Sequence, residues 1–187
     1  MKNRSTAFFG GSFDPPHLCH VLVAALGLSS DAVDDILVAP CFAHPFNKKM
    51  ATFEHRLEMC RRAFAPFGPR VEVSDIERSL GGSGRTLNTL QELHKRFPKR
   101  AFRLLVGSDI LQEKDSWYRF EEVALLAPPL VVGRAGQKPG AGIVLPDVSS
   151  SQVRSLLVQG QDPAGLLPAA VHAYVLEHQL YLEGPQQ

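Results

Sequence analysis

The residues best suited to ligand binding or catalysis lie near the start of the chain, between a short apolar run and a predicted helix. The N-terminal motif, residues 10–20, reads Gly-Gly-Ser-Phe-Asp-Pro-Pro-His-Leu-Cys-His. Gly10 and Gly11 let backbone N–H groups approach a ligand without a Cβ in the way. The free N–H groups and the positive dipole end of the helix favour an anion. His17 and His20 share a face of the first turn and add hydrogen bonds or charge near neutral pH, so the motif predicts a phosphate site.

A second anion-binding pattern lies near the other end of the chain. The C-terminal motif, residues 148–154, reads Val-Ser-Ser-Ser-Gln-Val-Arg. Ser149 or Ser150 is expected to cap a helix here, and Arg154 follows Ser150 by one turn on the same face. A guanidinium fork matches phosphate oxygens in pairs, although a solvated surface arginine is the alternative. We expect this motif to bind the same anion as the N-terminal motif.

Short apolar runs that alternate with helical patterns must position these motifs. The predicted strands are residues 6–10, 35–40, 70–74, 101–107 and 129–133. The predicted helices are residues 18–28, 51–67, 86–97, 120–126, 149–159 and 168–180. This alternation is typical of βαβ units, and it predicts one α/β domain over residues 1–187 with a doubly wound parallel sheet. Two helices are expected to follow the last strand.

The loops after the first and fourth strands are expected to meet. Ligands of open α/β sheets bind beyond the carboxyl ends of the strands, where the strand order reverses. If the order is 3-2-1-4-5, the N-terminal motif and Gly107-Ser108-Asp109 flank that reversal. Asp109 can accept hydrogen bonds from ribose hydroxyls or cap a helix.

Composition excludes several classes of protein. The net charge of +1 gives no general attraction to nucleic acid or membrane, and no apolar run reaches the ~20 residues of a membrane span. Three widely spaced cysteines without a Cys-x-x-Cys pair indicate reduced thiols rather than a disulfide frame. The chain has neither the G-x-G-x-x-G fingerprint nor a G-x-x-x-x-G-K-[ST] loop. We therefore expect a cytoplasmic protein with a local anion site and no residue that ligates a metal.

The N-terminal motif resembles the G-x-F-D-P-x-H-x-G-H signature of the HxGH nucleotidyltransferase superfamily. Within it, the chain is similar to the nicotinate (or nicotinamide) mononucleotide adenylyltransferases over nearly its full length. The C-terminal motif resembles the I-S-S-T-x-I-R of that family, and residues 105–109 with Trp117 resemble its G-x-D…W segment. The ending Leu-Pro-x-x-Val-x-x-Tyr, from residue 167, and Leu-Tyr at 180–181 resemble its last helix.

The resemblance implies a Rossmann-like fold and adenylyl transfer from ATP to a mononucleotide, with pyrophosphate as the second product. Magnesium is implied with ATP, carried mainly by phosphates and water, and a homo-oligomer is possible. The implied catalytic residues are His17, His20, Arg154 and Lys48. The implied ATP-binding residues are Gly10, Gly11, Ser12, Phe13, Gly107, Asp109, Ser149 and Ser150. The implied acceptor-binding residues are Arg85, Thr86 and Trp117.

Three positions depart from the family pattern. Cys19 replaces the glycine between the histidines, Arg85 replaces a tyrosine, and residues 44–48 replace a shorter Pro-Pro-His-Lys type of loop. Arg85 can pair with a nicotinate carboxylate. A glycine-rich stretch at residues 80–85 is a candidate mobile substrate loop.

Other functions stay open at the level of sequence. A phosphopantetheine adenylyltransferase or a cytidylyltransferase shares the first signature. A non-catalytic nucleotide-binding paralogue is a further alternative, and an α/β scaffold without a ligand leaves both motifs unexplained. Trp117, the only tryptophan, either stacks on a pyridine ring or packs in the core. Lys48 either faces phosphates or lies in a solvated loop.

Overall fold

A computed structural model describes residues 4–43, 50–81, 85–107, 117–132 and 145–182. Five strands form one parallel sheet. They are β1 (Ser5–Gly11), β2 (Asp35–Pro40), β3 (Val71–Val73), β4 (Ala101–Gly107) and β5 (Pro129–Val132). The strand order is β3-β2-β1-β4-β5, which confirms the predicted doubly wound layout. The order reverses between β1 and β4, where Ser5 pairs with Ala101 and Phe8 with Leu104.

Seven α-helices lie in the described part of the chain. They are α1 (Leu18–Ser29), α2 (Phe53–Phe64), α3 (Ile76–Ser79), α4 (Thr86–Arg96), α5 (Phe120–Leu126), α6 (Ser150–Val158) and α7 (Ala169–Glu177). Thr52 caps α2 by accepting a hydrogen bond from the His55 N–H. Gly160, with φ of +68°, follows the end of α6, in a conformation that glycine adopts without a Cβ clash.

Apolar side chains alternate between the two faces of the sheet, and each face has its own core. Ala7 and Phe9 of β1 pack with α1, α2, α6 and α7, whereas Phe8 packs with α3, α4 and α5. In β4, Leu105 belongs to the first core and Leu104 to the second. Burial on both faces explains why these strands are continuous apolar runs rather than alternating ones.

The helix predicted over residues 51–67 is confirmed over Phe53–Phe64 and is wrong at its last three residues. It ends at Phe64 and continues as a 3₁₀ segment, Ala65–Arg70, which contains Pro66 and Pro69. Proline lacks the N–H that an α-helix needs, so the helix cannot extend through these positions. The short helix α3 was not predicted. Residues 82–84 of the glycine-rich stretch lie outside the described residues, as does residue 133 of the fifth predicted strand.

Candidate functional site

A cavity of about 340 Å³ opens at the carboxyl ends of β1 and β4, where the strand order reverses. Eight of the predicted site residues line it: Gly10, His17, His20, Thr86, Gly107, Trp117, Ser149 and Ser150. The apolar part of the wall includes residues near the carboxyl ends of the two strands and Val23 of α1. A ligand site at this position is the one expected for an open α/β sheet.

The start of α1 presents two imidazoles to the cavity. His17 is the N-cap residue, with extended backbone, and its N–H donates to Nδ1 of His20 at 3.1 Å. The two rings lie 3.8 Å apart between centroids. An imidazole nitrogen that accepts a hydrogen bond carries no proton, so the neutral His20 ring holds its proton on Nε2. His20 can therefore donate from Nε2 to an anion.

The start of α6 is tied to the N-terminal motif. Ser149 caps α6 by accepting from the Gln152 N–H, and the Ser150 hydroxyl donates to the Pro15 carbonyl at 2.9 Å. The N-termini of α1 and α6 therefore contribute to one cavity. Each helix N-terminus carries a partial positive charge and N–H groups, so the arrangement attracts an anion without any net charge on the protein.

Arg154 is held beside the N-terminal motif rather than along the cavity wall. Its Nη1 donates to the backbone carbonyl of Asp14 at 2.6 Å and lies 3.6 Å from the Asp14 Oδ2. Its Nη2 donates to the Ser151 hydroxyl at 3.1 Å. Arg154 therefore meets a serine hydroxyl of the C-terminal motif at Ser151. Its guanidinium is oriented by Ser151 and Asp14.

Asp14 lies at the centre of a buried polar cluster that sequence reasoning gave no role. Its side chain is 1% exposed, and its Oδ1 accepts from the Ala51 N–H at 3.0 Å and from the Tyr181 hydroxyl at 2.8 Å. Burial raises the pKa of Tyr181, and the Asp14 charge and hydrogen bond raise it further. Both residues stand in segments that resemble the family, which was the available signal for their importance.

Arg56 is a second buried residue that was missed. Only 1% of it is exposed, and its guanidinium donates to four backbone carbonyls. They belong to Ser12, Cys41, Phe42 and Ala51. Arg56 therefore joins the N-terminal motif to both ends of the segment between β2 and α2. A charge on the apolar stripe of a predicted helix, between Phe53 and Cys60, was the signal that could have revealed it.

Glu77 reaches the same segment from the other face of the sheet. Its buried carboxylate accepts from the Thr89 hydroxyl and from the Phe42 N–H. Burial raises the pKa of Glu77, while these two hydrogen bonds act in the opposite direction. The backbone at Phe42 thus lies between two buried groups of opposite charge, Arg56 and Glu77.

The predicted acceptor residues occupy a more exposed part of the site. Thr86, the first residue of α4, and Trp117 line the cavity, and the indole packs edge-on against Phe120 with centroids 5.9 Å apart. Arg85 does not line the cavity. Its guanidinium lies over the exposed Tyr118 ring, 4.0 Å from the centroid. We name Arg85, Thr86, Trp117 and Tyr118 the acceptor side.

Three of the predicted ATP-binding residues in the N-terminal motif do not line the cavity: Gly11, Ser12 and Phe13. Phe13 has φ of +47° and is fully buried against Phe9 and His20. Its ring therefore belongs to the core, and only its backbone is available to a ligand. Lys48 and Asp109 lie outside the described residues.

The described residues offer no group of three or more His, Cys, Asp or Glu side chains placed to hold a metal ion. In the same part of the chain, no helix is both long and apolar enough to cross a membrane.

Comparisons with known proteins agree with one another. The cytidylyltransferase-like family matches residues 8–156. The chain is 42% identical over 182 residues to a "probable nicotinate-nucleotide adenylyltransferase" of Anaeromyxobacter sp. (strain K), which covers 95% of this chain and 97% of that protein. A protein of the same description from Myxococcus xanthus (strain DK1622) is 40% identical, covering 94% and 93%.

Solved structures support the same fold. The nicotinic acid mononucleotide adenylyltransferase of Plasmodium falciparum complexed with NaAD superimposes with a TM-score of 0.79, covering 98% of this chain and all of that one. The same enzyme complexed with APC gives 0.77. Each is 20% identical in sequence, so the likeness concerns the fold.

Proposed function

Because the chain belongs to the cytidylyltransferase-like family, among the nicotinate-nucleotide adenylyltransferases, we propose that it transfers the adenylyl group of ATP to nicotinate mononucleotide. The products are deamido-NAD and pyrophosphate, which makes the reaction a step of NAD biosynthesis. The observation that carries the proposal is the pair of helix N-termini, with His17, His20, Ser149 and Ser150, around one cavity at the reversal of strand order.

The reaction is a direct displacement at phosphorus. A phosphate oxygen of the mononucleotide attacks the α-phosphorus of ATP, the bond to the bridging oxygen breaks, and pyrophosphate leaves with the electron pair. No covalent bond to the protein forms. Such a reaction asks the protein to align two anions and to stabilise the charge that develops on the phosphoryl oxygens.

Four residues carry the catalytic proposal. His20 donates a hydrogen bond from Nε2 to the phosphates. Its Nδ1 accepts from the His17 N–H, which leaves the proton of the neutral ring on Nε2. The imidazole of His17 binds the same phosphates beside His20. Arg154 of α6 approaches them with its guanidinium fixed by Asp14 and Ser151. Lys48 supplies a further cation by resemblance to the family.

ATP is proposed to bind across the N-termini of α1 and α6. Backbone groups of Gly10, Gly11, Ser12 and Phe13 face its phosphates, and Gly10 lies on the cavity wall at the end of β1. Ser149 and Ser150 border the same space from α6. Gly107 and Asp109 are proposed to hold the ribose and base at the end of β4.

The acceptor is proposed to bind between Thr86 and Trp117, both on the cavity wall. The indole stacks on the pyridine ring, and Thr86 holds its carboxylate. Arg85 adds a positive charge at the exposed edge of this pocket.

Magnesium is proposed to enter with ATP. Mg²⁺ keeps several waters and binds substrate phosphates through few protein ligands. This fits a site beside which the buried carboxylate of Asp14 is already engaged by Ala51, Tyr181 and Arg154.

Pyrophosphate release with ATP and nicotinate mononucleotide tests the proposal. His20→Ala is expected to lower kcat by about 100-fold, the usual cost of losing one donor to a developing oxyanion. His94→Ala is the matched control, because the His94 ring contacts the Leu126 carbonyl away from the cavity. Equal rates for wild type and His20→Ala would refute the catalytic roles. Turnover only with phosphopantetheine, or only with CTP, would refute the substrates.

A further inference from the structure

Tyr181 lies at the far end of the chain from the N-terminal motif, yet its hydroxyl donates to Asp14 Oδ1 at 2.8 Å. Asp14 in turn contacts Arg154 through its backbone carbonyl and through Oδ2. We infer that Tyr181 is a positioning residue that fixes the Arg154 guanidinium through Asp14, so that the segment after α7 completes the ATP site. The inference rests on the proposed function, because it assigns Arg154 to the phosphates.

The chain after α7 follows a path that brings this hydroxyl inward. Gln179 and Tyr181 have φ of +51° and +64°, a conformation that residues with a Cβ rarely adopt. The Leu180 N–H donates back to the Val175 carbonyl at 3.0 Å. Left-handed backbone at residues with a Cβ persists where surrounding contacts hold it. The side chain of Tyr181 packs against the core that contains α1, α2 and α6, which supplies those contacts.

The Asp14 carboxylate needs its donors because it is buried. Its Oδ1 has two of them, the Tyr181 hydroxyl and the Ala51 N–H. Its Oδ2 has no hydrogen-bond partner among the described residues and faces Arg154 Nη1 at 3.6 Å. A buried carboxylate that loses a donor is destabilised by its unmet desolvation penalty, and a closer approach to a positive group lowers that penalty. Without Tyr181, Asp14 is therefore free to turn toward Arg154 and to pull the guanidinium from its position.

Tyr181 remains a donor throughout the physiological pH range. Burial first, and then the charge and the hydrogen bond of Asp14, raise its pKa above the ordinary value, whereas the charges of Arg154 and Arg56 act against this. The hydroxyl therefore stays protonated while the carboxylate accepts.

The test compares Tyr181→Phe with Tyr174→Phe. Both changes remove one hydrogen-bonded tyrosine hydroxyl from the C-terminal region, but the Tyr174 hydroxyl contacts His55 Nδ1 at 2.9 Å rather than Asp14. Tyr181→Phe is expected to raise the Kd for ATP, measured by titration calorimetry, about tenfold. It should lower kcat/KM for ATP by a similar factor, which is the effect of losing a hydrogen bond to a charged group. KM for nicotinate mononucleotide is expected to stay within twofold. Tyr174→Phe should leave all three quantities unchanged.

A double-mutant cycle separates positioning from general support of the fold. In an Arg154→Ala background, Tyr181→Phe is expected to change kcat/KM for ATP by less than twofold, because the group on which it acts is gone. Asp14→Asn provides a second route: it keeps an acceptor for Tyr181, removes the charge that faces Arg154, and should also weaken ATP binding.

The outcomes are distinguishable. The inference is overturned if Tyr181→Phe binds and uses ATP like wild type, or if its loss is as large without Arg154 as with it. A wild-type protein that binds ATP but releases no pyrophosphate would overturn the proposed function. The calorimetric comparison of ATP binding by wild type and Tyr181→Phe would then decide the inference. A wild type that does not bind ATP would overturn both.

Discussion

The two sides of the cavity are built differently. On the nucleotide side, defined as residues 10–20 and the start of α6, buried polar groups hold the backbone: Asp14, Arg56 and Tyr181 connect segments that are far apart in the chain. On the acceptor side, the Arg85 guanidinium lies over the exposed Tyr118 ring and Trp117 packs edge-on against Phe120. Directional side-chain hydrogen bonds between distant segments hold the nucleotide side, whereas the ring contacts of the acceptor side tolerate displacement.

This difference agrees with what each side is proposed to do. Transfer at phosphorus depends on aligned charges, and a small misplacement of a donor is costly in rate. An acceptor pocket must instead discriminate between similar rings, which a few exposed side chains can accomplish. Two departures from the family pattern, at Arg85 and at residues 44–48, fall in segments expected to form the acceptor pocket. On the nucleotide side Cys19 departs from the pattern, whereas His17, His20 and Arg154 retain their family types.

The largest expected effect tests how firmly the nucleotide side is held. Arg56→Met removes a buried guanidinium and leaves four backbone carbonyls without their donor, so we expect a loss of about 3 kcal/mol in the free energy of unfolding. Urea denaturation measures it as a lower midpoint at an unchanged m-value.

Arg62→Met is the control for Arg56→Met, because Arg62 lies on the same helix but pairs with the partly exposed Glu58. Its cost should be about 0.5 kcal/mol, the usual value for such a pair. If the two variants unfolded at the same urea concentration, the distinction between a fixed nucleotide side and the rest of the molecule would fail.

The strands and the two helix starts around the cavity could be predicted from sequence, because each depends on local patterns. The strand order joins distant segments, and it was expected only as the order common in doubly wound folds. Apolar runs identify buried strands, and Ser149 before a helical period identifies a cap. The N-terminal motif likewise lies next to the end of β1, so His17 and His20 had to meet near the reversal of strand order.

The polar cluster could not be predicted, because its partners are distant in sequence. Nothing local indicates that the hydroxyl of Tyr181 meets Asp14, or that Arg56 bonds to carbonyls on either side of residues 44–49. The side chain of Phe13 illustrates the same limit. A residue inside a phosphate-binding motif turned into the core because its backbone is left-handed, a property that its residue type does not indicate.

An intermediate effect is expected on the acceptor side. Arg85→Gln removes the cation over Tyr118, so the preference for nicotinate over nicotinamide mononucleotide, as the ratio of kcat/KM values, should fall about fivefold. The melting temperature should stay nearly constant, since an exposed cation–π contact contributes little.

Arg119→Gln is the matched control for Arg85→Gln. Arg119 also approaches the Tyr118 ring, at 5.9 Å, but it pairs with Glu122. Its ratio of kcat/KM values should equal that of wild type. A preference unchanged by Arg85→Gln, or lowered equally by both variants, would remove Arg85 from the acceptor site.

The smallest expected effect concerns the pH dependence of stability on the nucleotide side. An unperturbed tyrosine has a pKa of about 10, and burial with the Asp14 charge and hydrogen bond raises the pKa of Tyr181 above it. The folded protein therefore retains a proton that the unfolded chain releases. The stability that this hydroxyl contributes is complete well below pH 10, and it declines as the pH rises through about 10 and the unfolded chain ionises.

Wild type should therefore lose about 0.7 kcal/mol more than Tyr181→Phe between pH 9.5 and 10.5, as half-titration of one proton in the unfolded chain implies. Urea denaturation of both proteins at several pH values in this interval measures the difference directly. Parallel curves would mean that the Tyr181 hydroxyl ionises as readily in the folded protein as in the unfolded chain. The nucleotide side would then be open to solvent at Asp14, and it would no longer differ from the acceptor side in the way that its buried contacts require.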